Sequence, residues 1–145
     1  MTLTAAGNPL VLVVEDHDDT REMLQLLLEI FGCQVAAAAN GYEGMRLAEQ
    51  ILPDLILMDI KMPRLDGLTV TRMIRSHPTL SKVRIVALSV IATPQFHMEA
   101  LSAGCNQCLD KPIDFERLEK IVKALTGPVP RPLPRPIPYP LAMKV

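Results

Sequence analysis

The stretch Leu55-Ile56-Leu57-Met58-Asp59-Ile60-Lys61-Met62-Pro63 decides how this chain is read. Four apolar residues in succession, without alternation, describe a strand buried on both faces, the kind found inside parallel sheets. A carboxylate closes the run, and the C-terminal ends of such strands are where open α/β sheets hold their ligands. A second run, Leu10-Val11-Leu12-Val13-Val14, closes in the same way on Glu15-Asp16. If these strands are neighbours, three carboxylates converge on one spot. They stay ionised together only with a hard cation such as Mg²⁺ between their oxygens.

Outward from this stretch, strands and helices alternate. Residues 10–14, 34–38, 54–58, 83–88 and 107–109 read as strands. Between them, Asp18 or Asp19 can cap a helix carrying Met23, Leu24, Leu27, Leu28 and Phe31 at helical spacing, and Gly32 stops it. Asn40 caps a helix over residues 41–51 that ends before Pro53. A helix over residues 68–75 follows the Pro63–Gly67 loop, with Asp66 and Gly67 as turn or cap residues. The helix over residues 94–103 ends at Gly104. Asp114 caps the last helix, whose Phe115, Leu118, Ile121, Val122 and Leu125 form one apolar stripe. Five βα units with short loops predict an α/β fold: one five-stranded parallel sheet, doubly wound, with helices on both faces. Its carboxyl edge then collects Glu15, Asp16, Asp59, Ser89 and Lys111.

At 145 residues, 49% apolar and 21% charged, the chain suits one globular domain with a real core. No apolar stretch approaches the roughly 18 residues of a membrane span, and residues 1–9 lack the pattern of a secretory signal. A cytoplasmic location is the expectation. The formal charge of −1 is uneven, because Arg131, Arg135 and Lys144 lie in a tail from Gly127 onward that has no acid. The acidic body argues against a nucleic-acid surface. Cys33, Cys105 and Cys108 are an odd count and are expected as reduced thiols. Cys105 and Cys108 have the spacing of a zinc or redox pair, but no second ligand pair matches, and Cys105 precedes a strand rather than opening a helix.

Domain organisation is expected as an extension over residues 1–9, the folded domain over 10–126 and a tail or linker over 127–145. Prolines at every even position from 128 to 140 exclude a helix and a paired strand there and predict an extended, polyproline-like arm. No PxxP spacing occurs in it.

Glu15-Asp16 after the first strand, Asp59 after the third, Ser89 after the fourth and Lys111-Pro112 after the fifth together resemble the receiver domain of two-component response regulators. The segment Asp59-Ile60-Lys61-Met62-Pro63-Arg64-Leu65-Asp66-Gly67 is similar to that family's phosphoacceptor loop, and Ala100-Leu101-Ser102-Ala103-Gly104 also fits. The likeness spans residues 10–125 and implies the flavodoxin-like topology. It implies a phosphoacceptor switch that takes a phosphoryl group onto Asp59 from the phosphohistidine of a sensor histidine kinase or histidine phosphotransfer protein. Mg²⁺ would be held by Glu15 or Asp16, by Asp59 and by the backbone carbonyl of Lys61. Lys111 would pair with phosphoryl oxygens and Ser89 would offer its hydroxyl, while Pro112 resembles the proline that follows a cis bond. No enzymatic activity beyond Mg²⁺-dependent self-phosphorylation and self-dephosphorylation is expected. The output would be altered binding of a downstream protein, or a homodimer through the fourth helix, fifth strand and fifth helix.

Two positions depart from the family. Cys108 stands where Tyr or Phe is usual, and a thiol cannot repeat the change in buried area that a swinging ring makes. Val90 follows Ser89 where Ala or Gly is favoured, so a branched side chain stands at the approach to Asp59, and Lys61 stands beside the route of water. Three other readings compete. One is a constitutive binding module that ignores phosphate. Another is a Mg²⁺-dependent phosphohydrolase, which would want a further acid or base. The third is a receiver cut from a longer hybrid kinase or regulator.

Overall fold

The computed structural model describes residues 8–91 and 93–125. The first seven residues, the domain boundary at 126 and the Pro-rich tail lie outside them. The elements run β1 (Leu10–Val14), α1 (Asp18–Ile30), β2 (Gln34–Ala38), α2 (Gly41–Ile51), β3 (Leu55–Asp59), α3 (Gly67–Ser76), β4 (Arg84–Ser89), α4 (Pro94–Ala103), β5 (Gln107–Asp110) and α5 (Phe115–Leu125). All pairings are parallel, in the order β2-β1-β3-β4-β5. β1 and β3 are neighbours, with Val14 opposite Met58, so Glu15 and Asp59 leave adjacent strands at the same level.

The period of two along each strand divides the core. Leu10, Leu12, Val14, Ile56, Met58, Ile85 and Ala87 pack on one face with Leu47, Ala48 and Ile51 of α2, Val70 and Ile74 of α3, and Ala100 of α4. Val11, Val13, Leu55, Leu57, Val86 and Leu88 pack on the other with Leu24 and Leu28 of α1 and Leu118, Ile121 and Val122 of α5. Two helices cover one face and three the other. Burying both faces in this way is what permits unbroken apolar strands.

Three strands run one residue past their last apolar side chain. Asp59 pairs with Leu88, and Ser89 with Asp110, inside the ladder. A backbone ladder is indifferent to side-chain polarity, so the polar residue occupies the last rung. Asp59 and Ser89 therefore project from the sheet itself, while Glu15, Asp16 and Lys111 sit in the first residues beyond β1 and β5.

Several helix ends fall where the residue types put them. Asn40 accepts the Glu43 N–H at 2.9 Å, and Glu43 Oε1 accepts the Ala39 N–H at 2.7 Å, a reciprocal cap. Asp66 accepts the Thr69 N–H at 2.9 Å, and Asp114 accepts the Glu116 N–H at 3.0 Å. Gly104 adopts the left-handed conformation that ends α4. The start of α1 differs from expectation. Its cap position is His17, which makes no side-chain capping bond, and Asp18 and Asp19 sit in the first turn, where the helix dipole favours them.

The loop after β3 is held shut by backbone. Gly67 N–H donates to the Ile60 carbonyl at 2.9 Å. The turn between them passes through Arg64 at φ 69°, with Leu65 N–H bonded to the Pro63 carbonyl across it. A Cβ on Gly67 would overlap the Asp59 carbonyl oxygen and stand 2.8 Å from Ile60 Cα, both fixed backbone. Gly67→Ala is therefore expected to cost about 1–3 kcal/mol, the usual range for overpacking. Urea unfolding checks this, and an unchanged midpoint would contradict the tight approach.

Candidate functional site

β1 delivers Glu15 and Asp16, β3 delivers Asp59, and the turn after β5 delivers Lys111. Glu15 is fully buried and Asp59 is 2% exposed. Lys111 Nζ reaches both, at 2.9 Å from Glu15 Oε1 and 3.2 Å from Asp59 Oδ1. Lys111 is anchored in turn by its N–H, which donates to the Ser89 carbonyl at 2.8 Å, and the Lys111–Pro112 peptide is cis.

The oxygens of the three acids are not equivalent. Both Glu15 oxygens are engaged, Oε1 by Lys111 and Oε2 by the His17 N–H at 3.1 Å. Asp16 Oδ1 and Asp59 Oδ2 are buried and accept no hydrogen bond. A buried oxygen without a donor is costly. Two of them in one pocket need a shared proton or a cation. Ligand atoms of Glu15, Asp16, His17 and Asp59 all lie within 4.8 Å of one another. This donor set, rich in carboxylate, fits a small hard divalent ion, with Asp16 and Asp59 supplying the oxygens that accept no hydrogen bond.

The crowding shifts the protonation equilibria. Burial first, then the facing Asp16 carboxyl and the charge of Glu15, push Asp59 up to about 7 against the pull of Lys111. Burial by itself would raise Glu15 too, but its bonds from Lys111 and His17 hold it below the usual value. Lys111 also resists its burial, because Glu15 and Asp59 keep its ammonium charged above the ordinary lysine range. His17 is raised by its contact with Glu15 and by the Asp16 charge.

Of the remaining residues singled out in the sequence, Ser89 is buried at the pocket edge. Its hydroxyl is occupied by Ile91, accepting the N–H at 2.9 Å and donating to the carbonyl at 3.3 Å. Lys61 lies two residues beyond Asp59 with an exposed side chain. It lines a cleft of about 530 Å³ with Ile60, Met62, Pro63, Asp66, Leu68, Ile91 and Phe96. Val90 is largely exposed. Cys108 is half-buried on β5 opposite Ala87 and packs on the α2–α3–α4 side of the core. Its thiol is pushed up to about 11 by burial and then by Asp110 and Cys105, as befits a packing residue rather than a reactive one. All three cysteines are free.

Two further residues, His17 and Arg21, stand at the site. His17 is mostly exposed, yet its Nδ1 stands 3.2 Å from Glu15 Oε2 and 3.4 Å from Asp16 Oδ1. Direct succession to Glu15-Asp16 was the signal. Arg21 donates to the Glu15 carbonyl at 3.0 Å and pairs with Asp18, three residues earlier on α1. It braces the backbone from which the acids project.

The chain is similar to known proteins over most of its length. The family model for the response regulator receiver domain matches residues 11–123. The polar-differentiation response regulator DivK of Brucella anthropi is 31% identical over 117 residues, covering 81% of this chain and 95% of that protein. The DNA-binding dual master transcriptional regulator RpaA of a Synechocystis strain is 30% identical, and there the chain spans about half of the relative, 48%. Among solved structures, the receiver domain of the Pseudomonas aeruginosa sensor histidine kinase PA1611, with a magnesium ion coordinated in its active-site cleft, superimposes with a TM-score of 0.76. It is 33% identical, over 83% of this chain and 98% of that one. The order of the sheet, the placing of the acids and lysine, and these matches agree: the chain belongs to the response regulator receiver domain family of two-component signalling.

Proposed function

We propose that this receiver domain is a phosphoacceptor switch, with Asp59 as the residue phosphorylated. The observation that carries the reading is Asp59 itself. It is a buried carboxylate with one oxygen against the Lys111 ammonium and the other without a donor. A carboxylate attacking a phosphoryl group forms an acyl phosphate, while the bond from phosphorus to the donor's imidazole nitrogen breaks and that nitrogen is left to take a proton. Attacker and target are both negative, so the reaction is governed by positioning and charge. A bound Mg²⁺ would supply positive charge between them, held by Asp16, Asp59 and the Lys61 carbonyl, with Glu15 beside it. Lys111, already aimed at Asp59, meets the phosphoryl oxygens as a compact point charge. Ser89 must give up its Ile91 bonds to do the same.

The donor class is a histidine kinase or a histidine phosphotransfer protein, the reaction is cytoplasmic, and output is through protein–protein binding. No catalysis beyond gain and loss of the domain's own phosphoryl group belongs to this reading. Incubation with acetyl phosphate and Mg²⁺ tests it by mass spectrometry. The native protein is expected to gain one phosphoryl group, and Asp59→Asn none. Lys111→Met should slow the gain by at least about tenfold, the scale of one lost charge contact of ~1.4 kcal/mol or more. Absence of any gain in the native protein would favour a constitutive binding module.

The raised Asp59 also sets a pH dependence. A carboxyl that is easier to protonate folded than unfolded stabilises the fold least when ionised, so its cost appears as pH rises from the unfolded value of 3.8 through about 7. The cost at neutral pH and above is on the order of 4 kcal/mol for an isolated group, reduced by coupling to its neighbours. Without Mg²⁺, Asp59→Asn should therefore be more stable than the native protein by ~2–4 kcal/mol at pH 8. The advantage should vanish at pH 4 and shrink when Mg²⁺ is added. Denaturant unfolding across that range measures it, and a gap independent of pH would contradict the assignment.

A further inference from the structure

We propose that His17 makes this acidic pocket a site for a borderline transition-metal ion, such as Ni²⁺ or Co²⁺, in competition with Mg²⁺. The inference rests on the metal-centre reading above and goes beyond it. A hard ion such as Mg²⁺ takes oxygen ligands and has little use for imidazole. Borderline divalent ions favour mixed nitrogen and oxygen sets, and affinity for them rises along the first row. The pocket presents such a set. His17 Nδ1 lies 3.2 Å from Glu15 Oε2 and 3.4 Å from Asp16 Oδ1, and its ligand atom falls within the same 4.8 Å cluster as those of Asp16 and Asp59.

Two further observations point to a ligand. Asp59 Oδ2 and Asp16 Oδ1 are buried in the pocket without a donor, and Asp59 is 98% removed from solvent. Asp16 Oδ1 faces the His17 ring at 3.4 Å, and a cation between the two carboxylates would satisfy both oxygens. His17 is held in place by backbone, since its N–H donates to Glu15 Oε2 and its carbonyl accepts the Arg21 N–H at 2.9 Å in the first turn of α1. Its side chain makes no capping bond and instead turns Nδ1 toward Glu15 Oε2. On loading, the Nδ1 lone pair binds the ion, the ring proton resides on Nε2, and any Nδ1 proton is released to solvent. The other histidines do not share this setting, as His77 pairs with Glu49 and His97 with Asp110, each with one carboxylate only.

Calorimetric titration of Ni²⁺ and of Mg²⁺ into the native protein and into His17→Asn tests the proposal. Asn is a favoured helix cap, so the variant keeps α1 while removing the imidazole. The ratio of Ni²⁺ to Mg²⁺ affinity should fall at least about tenfold in His17→Asn, and Mg²⁺ should displace Ni²⁺ from the native protein. Displacement by Mg²⁺ separates the pocket from the thiols, which bind Ni²⁺ but not Mg²⁺. An unchanged ratio overturns the proposal, as does Ni²⁺ that saturating Mg²⁺ fails to displace. If Mg²⁺ binds neither protein, the metal-centre reading fails, and this inference falls with it.

Discussion

An excess of buried negative charge at the junction of β1 and β3 governs this molecule. Glu15, Asp16 and Asp59 meet in one pocket with Lys111 as the ammonium among them, and two of their oxygens have no donor. The fold does not need this arrangement for its own stability. The same strands could close on neutral residues and save the desolvation that pushes Asp59 up to about 7. Much of the surrounding structure reads as what is required to keep the strain in place. Parallel pairing sets β1 and β3 level, Arg21 ties down the Glu15 carbonyl, and Gly67 lets the following loop close on the Asp59 backbone.

The charge excess also links the site to its surroundings. Lys111 spans two acids, and its backbone hangs from Ser89, whose partner across the ladder is Asp110. Asp110 holds His97 of α4 at 2.9 Å. A charge added at Asp59 would pull first on Lys111 and then on these neighbours. Cys108, on the same strand as Asp110, is partly buried against the core.

Much of this was legible in the sequence because its signals are local. Unbroken apolar runs gave β1 and β3, and the acids that close them fall where the runs end. Asn40, Asp66 and Gly104 act through bonds or dihedrals a few residues away, and each does what its type suggests. The N-terminus of α1 was less legible, since Asp18 and Asp19 satisfy the helix dipole as well as they could a cap, and composition does not separate the two. Ser89 was placed correctly on the edge, but its bonds to Ile91 depend on a loop conformation that no spacing encodes. Division of labour among the acids was likewise hidden. Only the position of Lys111, brought from 96 residues away, decides that Glu15 is occupied while Asp16 and Asp59 keep free oxygens.

The most direct test of the account is the titration of the Asp59 carboxyl, followed by carbon NMR in protein freed of metal and again in saturating Mg²⁺. A midpoint near 7 is expected without metal, with a fall below the ordinary carboxylate range once the ion is bound. A metal-free midpoint near the ordinary aspartate value of 3.8, unmoved by Mg²⁺, would contradict this reading of the pocket.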